Sequence, residues 1–211
     1  MILLSEFTRI KTEITHLAYQ SAIWTFDLIT DQDILSDLTL ASYQPINSQL
    51  PISNKRMFYV DQTSKSLDKF ILELNNLIFN KIKNLVYSLE MQEIFQTASA
   101  NTFFSRWPIQ NNDFDKKIFS KTLIIKDLPE FNMGKHLDNQ RVVGNAIINL
   151  TENDCKTDFY DYKDHEKIIF SHPGTKNRGV FFLNTPASLH GIKNFDKTRY
   201  IANPSFMINY W

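Results

Sequence analysis

Two histidines and one aspartate in the last third of the chain have the types and the order of a metal-binding group. His136 and Asp138 are two positions apart, and His190 follows much later. On a β-strand, side chains two positions apart point to the same face, whereas on a helix they would be about 200° apart. A histidine from a distant strand would complete a face of two imidazoles and one carboxylate. Such a face leaves coordination positions open on Fe(II), as in non-haem oxygenases.

A candidate anion-binding residue follows the second histidine. Arg199 lies nine residues after His190, beyond a predicted turn and on the next predicted strand. Its planar guanidinium could hold a carboxylate near the metal through two parallel hydrogen bonds. Its position between Thr198 and Tyr200, on an otherwise apolar strand, favours burial with an anionic partner.

The segments around these residues have the composition of short β-strands. Apolar, β-branched runs alternate with turns rich in Gly, Pro and Asn, which is typical of an all-β barrel or sandwich. We predict strands within segments 123–129, 133–136, 142–150, 157–161, 167–170, 179–183, 198–202 and 205–211.

Composition limits the classes of partner. Lys plus Arg and Asp plus Glu number 23 each, so no net field favours nucleic acid or an anionic membrane. The single cysteine, Cys155, lies in a polar run that predicts a loop; it excludes an intramolecular disulfide and indicates a reducing compartment. We find no signal peptide and no apolar run as long as a membrane span. We therefore expect a cytoplasmic protein without nucleic-acid or membrane partners.

The chain changes character near residue 100, since all five glycines lie after position 133. We predict one domain over 1–211, in which a mainly helical part, 1–99, packs on a β core, 100–211. Apolar residues recur at steps of three and four from Leu67 to Leu89, which predicts a long amphipathic helix.

Two further predictions concern the N-terminal part. A second helix is predicted over 5–22, and Ser64 or Ser66 is the expected N-cap of the long helix. The connection 42–55 is rich in turn formers.

Short motifs accompany the three metal-binding candidates between about residue 100 and the end of the chain. After a proline turn they are HLDN at 136–139, IINL at 147–150, DFYD at 158–161, PG at 173–174, VFFL at 180–183, LHG at 189–191 and TRY at 198–200. With these motifs the chain resembles the Fe(II)- and 2-oxoglutarate-dependent dioxygenases, in particular their prolyl-hydroxylase-like branch and the bacterial and phage proteins that share its core.

The resemblance implies a double-stranded β-helix (a cupin-like jelly roll) with flanking N-terminal helices. It also implies, as a hypothesis, that the connection 42–55 helps to roof the active site. It makes His136, Asp138 and His190 the catalytic iron ligands and pairs Arg199 with the distal carboxylate of 2-oxoglutarate. The implied reaction hydroxylates an unactivated C–H bond of a small molecule or of an amino-acid or peptide side chain, with Fe(II), 2-oxoglutarate and O2, and releases succinate and CO2. Halogenating relatives have a small residue at the position of Asp138, so its carboxylate favours hydroxylation.

Two positions depart from the pattern of that family. Ile201 stands where a Ser or Thr often follows the arginine, and Asn149 replaces a Tyr that often helps to hold the cosubstrate. Asn145, Ile147 and Asn149 share one face of their predicted strand. The two asparagines are cosubstrate-binding candidates, because amides that face a pocket need partners; on the outer face they would be solvated, and the sequence leaves both orientations open.

Four more residues are candidates for contact with the primary substrate. Arg106 and Arg141 flank the predicted mouth of the barrel and could hold a substrate carboxylate, while Trp107 and Tyr160 are candidates for the pocket wall. The remaining histidines, His16, His165 and His172, lack ligand spacing to the three metal-binding candidates.

Two other classes of protein stay open. A cupin-like metal enzyme that does not use 2-oxoglutarate would have no distal carboxylate for Arg199 to hold. A non-enzymatic β-helix binding module would have no use for an open metal face. Both readings are therefore less well supported by the residues than the dioxygenase reading.

Overall fold

The computed structural model describes residues 1–10, 22–45, 55–97, 114–185, 187–193 and 196–209. The first part of the chain contains strands β1 (Ile2–Leu4), β2 (Thr8–Arg9), β3 (Ile23–Thr30), β4 (Tyr43–Pro45) and β5 (Arg56–Tyr59). The helices are α1 (Leu35–Leu40), α2 (Lys65–Val86), α3 (Leu89–Thr97) and α4 (Phe114–Lys117). The second part contains β6 (Ile118–Asp127), β7 (Met133–His136), β8 (Val142–Asn149), β9 (Thr157–Tyr160), β10 (Ile168–His172), β11 (Arg178–Leu183), β12 (His190–Ile192) and β13 (Arg199–Ile208).

The strands form two antiparallel sheets. The large sheet has the order β1-β3-β11-β8-β13-β6-β5-β4, with β2 paired to β3, and the small sheet has the order β10-β9-β12-β7. From β6 onward the strands divide into the rows β6-β13-β8-β11 and β7-β12-β9-β10, and the chain changes sheet at every step except from β9 to β10. This order is that of a jelly roll, in which two sheets face each other. The predicted mainly β, double-stranded β-helix fold is confirmed.

Two apolar layers hold the fold together. One lies between the sheets and joins Phe159 of the small sheet to residues of the large sheet such as Ile125, Ile147 and Ile201. The other lies between the opposite face of the large sheet and helix α2. Because side chains alternate along a strand, each core strand of the large sheet contributes to both layers.

Helix α2 confirms the predicted amphipathic pattern. Its buried residues are spaced three and four apart, and its N-cap is Ser64, whose side chain accepts a hydrogen bond from the Leu67 backbone at 3.3 Å. The predicted helix continues to Leu89, but the structure ends α2 at Val86 and begins α3 at Leu89. The side chain of Ser88 accepts a hydrogen bond from the backbone of Met91, which caps the new helix.

The N-terminal part contains strands as well as helices. The predicted helix over 5–22 is wrong at Thr8–Arg9, which is a strand paired with Thr25 and Trp24; residues 11–21 lie outside the described part. Strand β3 pairs with β11 of the core and β5 with β6. Local propensity is overridden here because cross-strand pairing to the core decides the conformation.

The connection predicted as a roof is described only in part. Tyr43–Pro45 is a strand that pairs with β5, while residues 46–54 lie outside the described part. Within the described ranges, no helix is long and apolar enough to cross a membrane.

Candidate metal and anion site

Strand register brings the two predicted histidine ligands together. His136 ends β7 and is directly paired with His190, the first residue of β12. Their ring centroids are 4.3 Å apart. With Asp138, these residues offer one ligand atom each, and the three atoms all lie within 4.8 Å of one another. This arrangement can hold one metal ion on two imidazoles and one carboxylate.

Asp138 is positioned by hydrogen bonds rather than by strand alternation, since it lies two residues beyond the end of β7. Its Oδ2 accepts a hydrogen bond from Asn145 Nδ2 at 3.0 Å. Its Oδ1 lies 4.0 Å from His136 Nε2. The Asn184 side chain donates to the backbone carbonyls of Asp138, Asn139 and Val142. These contacts fix the loop that carries the carboxylate.

Both histidines have their Nδ1 atoms engaged by backbone carbonyls. His136 Nδ1 lies 2.9 Å from Gly134 O, and His190 Nδ1 lies 2.8 Å from Ser188 O. A proton on each Nδ1 would donate to these carbonyls and leave Nε2 with a free lone pair, the state in which imidazole binds a metal. Burial lowers the pKa of His190, which favours the neutral ring that a metal ligand requires.

Aromatic side chains form the wall around the second histidine. The rings of Phe159 and Phe182 have centroids 5.6 and 4.8 Å from that of His190. Both phenylalanines belong to the layer between the sheets. The candidate metal site is therefore bounded by apolar surface on the side of the core.

Arg199 lies in a row of charged residues on three neighbouring strands. In this row Arg56 on β5 is directly paired with Asp127 on β6, and Asp127 is directly paired with Arg199 on β13. Arg56 binds both oxygens of Asp127, at 2.7 and 2.8 Å. Asp127 is 0% exposed and Arg199 is 1% exposed.

The guanidinium of Arg199 is only partly satisfied. Its Nη1 donates to Cys155 Sγ at 3.0 Å, while its Nε and Nη2 atoms have no hydrogen-bond partner among the described residues. A buried cation without a counter-charge is unfavourable unless an anion binds to it. The arrangement can therefore receive a carboxylate.

His172 is a buried histidine outside the group of metal-binding candidates. It ends β10, is 1% exposed, and its Nε2 lies 3.2 Å from Asn149 Nδ2. The same amide nitrogen donates to Pro173 O at 2.9 Å. Because an amide nitrogen can only donate, Nε2 of His172 accepts its second hydrogen bond, and the proton of the neutral ring lies on Nδ1. Burial, and then the charge of Arg199, lower the pKa of His172 to about 3. Two-residue alternation from Phe170 is the sequence signal that could have identified this inward position.

The two predicted cosubstrate asparagines face the interior, since Ile147 between them belongs to the layer between the sheets. Asn145 supports Asp138 instead of the anion site: its Oδ1 also accepts hydrogen bonds from Asn203 and Ser205. Asn149 contacts His172 and Pro173, and it therefore lies beside the histidine whose pKa the charge of Arg199 lowers.

Of the four predicted substrate residues, the structure describes Tyr160 and Arg141. Tyr160 follows Phe159, so it faces the opposite side of the small sheet from the histidines. There it is buried beneath Lys135, whose Nζ lies 4.8 Å from the ring centroid, and it lines a cleft of about 510 Å³. Arg141 is exposed just before β8. Arg106 and Trp107 lie outside the described residues.

No protein-family model matches this chain, and neither does any curated protein. The structure is similar to a prolyl-4-hydroxylase from Pseudomonas putida, at 12% identity and a TM-score of 0.48 over 78% of this chain and 77% of that one. A viral collagen prolyl hydroxylase from Paramecium Bursaria Chlorella virus-1 is similar at 12% identity and a TM-score of 0.47, over 88% and 95% of the two chains. A 2OG-Fe(II) oxygenase family oxidoreductase from Burkholderia pseudomallei is similar at 11% identity and a TM-score of 0.47, over 94% and 93%. At these identities and scores, no residue role passes from these proteins to this chain.

Proposed function

We propose that this protein is an Fe(II)- and 2-oxoglutarate-dependent dioxygenase that hydroxylates a C–H bond of a small molecule or of an amino-acid or peptide side chain. The proposal rests on the presence of two features in the same jelly roll. One is the group His136, Asp138 and His190, with ligand atoms within 4.8 Å of one another. The other is Arg199, a buried cation with two unpartnered nitrogens among the described residues.

The donor set suits Fe(II). Two neutral imidazoles and one carboxylate on one face leave room for a bidentate cosubstrate and for O2. Iron with 2-oxoglutarate and O2 would supply the oxidising chemistry, with release of succinate and CO2. The carboxylate of Asp138 occupies the position that a halide would need, so we expect hydroxylation and no dependence on chloride.

The protein's own residues would bind, orient and shield the reactants. Arg199 would hold the far carboxylate of 2-oxoglutarate through Nε and Nη2, in the paired geometry that guanidinium allows. Phe159, Phe182 and Ile201 provide apolar walls between the sheets, which exclude water and strengthen the charged contacts.

We also propose that residues 1–211 act as one domain. Strands β3 and β5 of the N-terminal part pair directly with β11 and β6 of the core. The large sheet is therefore continuous across the boundary near residue 100.

The proposal is tested by anaerobic titration of the Fe(II)-loaded protein with 2-oxoglutarate. We expect a weak visible charge-transfer band that saturates with the cosubstrate and that is lost in Asp138→Ala. Exposure to O2 in the presence of candidate substrates should then give succinate and a product heavier by one oxygen, in equal amounts. Metal binding without any effect of saturating 2-oxoglutarate would overturn the proposal and favour a cupin-like metal enzyme; absence of metal binding would favour a binding module.

A further inference from the structure

Cys155 is the single cysteine of the chain, and it lies on a tightly held loop between β8 and β9. Its side chain is buried, and its backbone N–H donates to Asn153 Oδ1 at 3.0 Å. The Asn153 side chain in turn donates to Thr151 O at 3.0 Å. Hydrogen bonds therefore link this loop on both sides of Asn153, and the sulfur has a defined position.

The loop is also fixed against the turn between β10 and β11. The Asn153 backbone N–H donates to Gly174 O at 3.0 Å. A Cβ atom at Gly174 would lie 2.3 Å from Asn153 O and 2.6 Å from Cys155 O. Only glycine fits at such a close approach of two backbones, so the loop has little freedom to move away from Arg199.

The thiol uses both of its hydrogen-bonding functions. Cys155 Sγ accepts a hydrogen bond from Arg199 Nη1 at 3.0 Å, and it donates toward Lys156 O at 3.8 Å. Burial raises the pKa of Cys155, so the sulfur stays protonated and neutral. A neutral thiol is a weak acceptor; it can orient the guanidinium without cancelling its charge.

No other described group competes for the remaining edge of the guanidinium. Asp127 is the paired residue on the neighbouring strand, but both of its oxygens accept hydrogen bonds from Arg56. The Nε and Nη2 atoms of Arg199 are buried and unpartnered within the described residues. They are adjacent on the guanidinium and form a side-on pair of donors for one carboxylate.

We infer that Cys155 is a positioning residue: its neutral sulfur fixes Arg199 Nη1 and thereby presents the Nε–Nη2 edge to the carboxylate of the cosubstrate. This rests on the proposed function, because the carboxylate is taken to be that of 2-oxoglutarate. A carboxylate side chain in place of the thiol would also hold Nη1, but it would neutralise the arginine and compete with the cosubstrate.

Variants at position 155 distinguish a loss of orientation of the Arg199 guanidinium from a neutralisation of its charge. Cys155→Ser keeps a neutral donor and acceptor, Cys155→Val removes the acceptor, and Cys155→Asp adds a competing charge. The dissociation constant of 2-oxoglutarate is measured by anaerobic titration of the Fe(II)-loaded protein. We expect it to rise less than about threefold in Cys155→Ser, about tenfold in Cys155→Val and about a hundredfold in Cys155→Asp. Metal affinity, measured without cosubstrate, should stay unchanged in all three. Lys156→Ala, an exposed change in the same loop, is the control and should leave both constants unchanged.

A second measurement uses the natural protein and does not depend on the folding of any variant. Since the chain has one thiol, alkylation by iodoacetamide reports on Cys155 alone. Saturating 2-oxoglutarate should slow alkylation of the metal-loaded protein several-fold, because a bound carboxylate holds Arg199 against the sulfur.

The outcomes distinguish the positioning role from the proposed function. If the natural protein binds no 2-oxoglutarate, the proposed function fails. If it binds, and Arg199→Met weakens binding while Cys155→Val does not, only the positioning role is overturned. An alkylation rate that saturating 2-oxoglutarate leaves unchanged would overturn that role as well.

Discussion

Asn145 on β8 donates a hydrogen bond to Asp138 on the loop that follows β7, with 3.0 Å between Nδ2 and Oδ2. Its orientation is fixed from the other side, because its Oδ1 accepts hydrogen bonds from Asn203 at 3.0 Å and Ser205 at 2.7 Å. One oxygen of the aspartate is thus held by the sheet, and Oδ1 is left beside His136. Groups that orient a metal ligand in this way tune the affinity of the site.

Asn145→Ala should therefore weaken metal binding about 10- to 100-fold while leaving the three ligands in place. Calorimetric titration with Mn(II) or anaerobic Fe(II) measures this change. Asn132→Ala, an exposed asparagine just before β7, should bind metal as the natural protein does. Equal affinities in Asn145→Ala and in the control would show that Asp138 needs no such support.

Substitution of the proposed ligand residues themselves should give a larger effect. Asp138→Ala should abolish metal binding and keep the fold, because the Asp138 side chain is 17% exposed and lies on a loop outside the hydrophobic layers. Metal content after reconstitution, together with circular dichroism and thermal unfolding, checks both parts. His190 is almost fully buried, so His190→Gln is the better variant there, since alanine would leave a cavity. Full metal content in Asp138→Ala would contradict the ligand assignment.

Arg199→Met should act in opposite directions on binding and on stability. Loss of one member of a buried charge pair costs about 3–5 kcal/mol, so the affinity for 2-oxoglutarate should fall at least about 100-fold. In the cosubstrate-free protein, however, the change removes a buried cation with two unpartnered nitrogens among the described residues. The free energy of unfolding should then be unchanged or higher by about 1–4 kcal/mol.

Urea denaturation and cosubstrate titration of the same samples test both directions. Arg199→Lys is the matched comparison, and it should bind 2-oxoglutarate with intermediate affinity because an ammonium cannot form the paired hydrogen bonds. An unchanged dissociation constant of 2-oxoglutarate in Arg199→Met would show that another cation binds the carboxylate.

The buried His172 predicts a particular dependence of stability on pH. Its pKa is lowered from 6.5 to about 3, chiefly by burial. Between these values the unfolded chain takes up a proton that the folded protein does not, so stability falls as the pH decreases through this window. From pH 7 to pH 5 the loss attributable to this residue is about 2 kcal/mol.

His172→Gln should remove that contribution. The free energy of unfolding of the metal-free variant should therefore fall less between pH 7 and pH 5 than that of the natural protein, by about 2 kcal/mol. His165→Gln, on an exposed loop, should keep the full pH dependence. Parallel pH profiles for His172→Gln and the natural protein would mean that His172 is readily protonated in the fold.

Local sequence pattern was sufficient to predict a large part of the secondary structure of this protein. The spacing from Leu67 onward predicts helix α2, since a helix with one buried face must repeat its apolar residues every three or four positions. The alternating and β-branched runs predict the core strands for the equivalent reason. The order of His136, Asp138, His190 and Arg199 in the sequence is sufficient to indicate the candidate site.

Tertiary pairing decided what local pattern could not. Thr8–Arg9 became a strand because β3 offers it a partner. The inward direction of Asn145 and Asn149 depends on which face of β8 meets the small sheet, and both faces of that strand are buried.

The sequence by itself determined the types and order of the site residues and the periodicity of the main elements, because both are properties of neighbouring positions. Only the tertiary structure decided that Cys155, a cysteine in a polar run, is buried against Arg199 forty-four residues later. It also brought His172 of the small sheet within hydrogen-bond distance of Asn149 of the large sheet, and it paired Asp127 with Arg56 in a salt bridge. These contacts depend on strand register and on which loops close over the interior, and neither is encoded in the spacing of nearby residues.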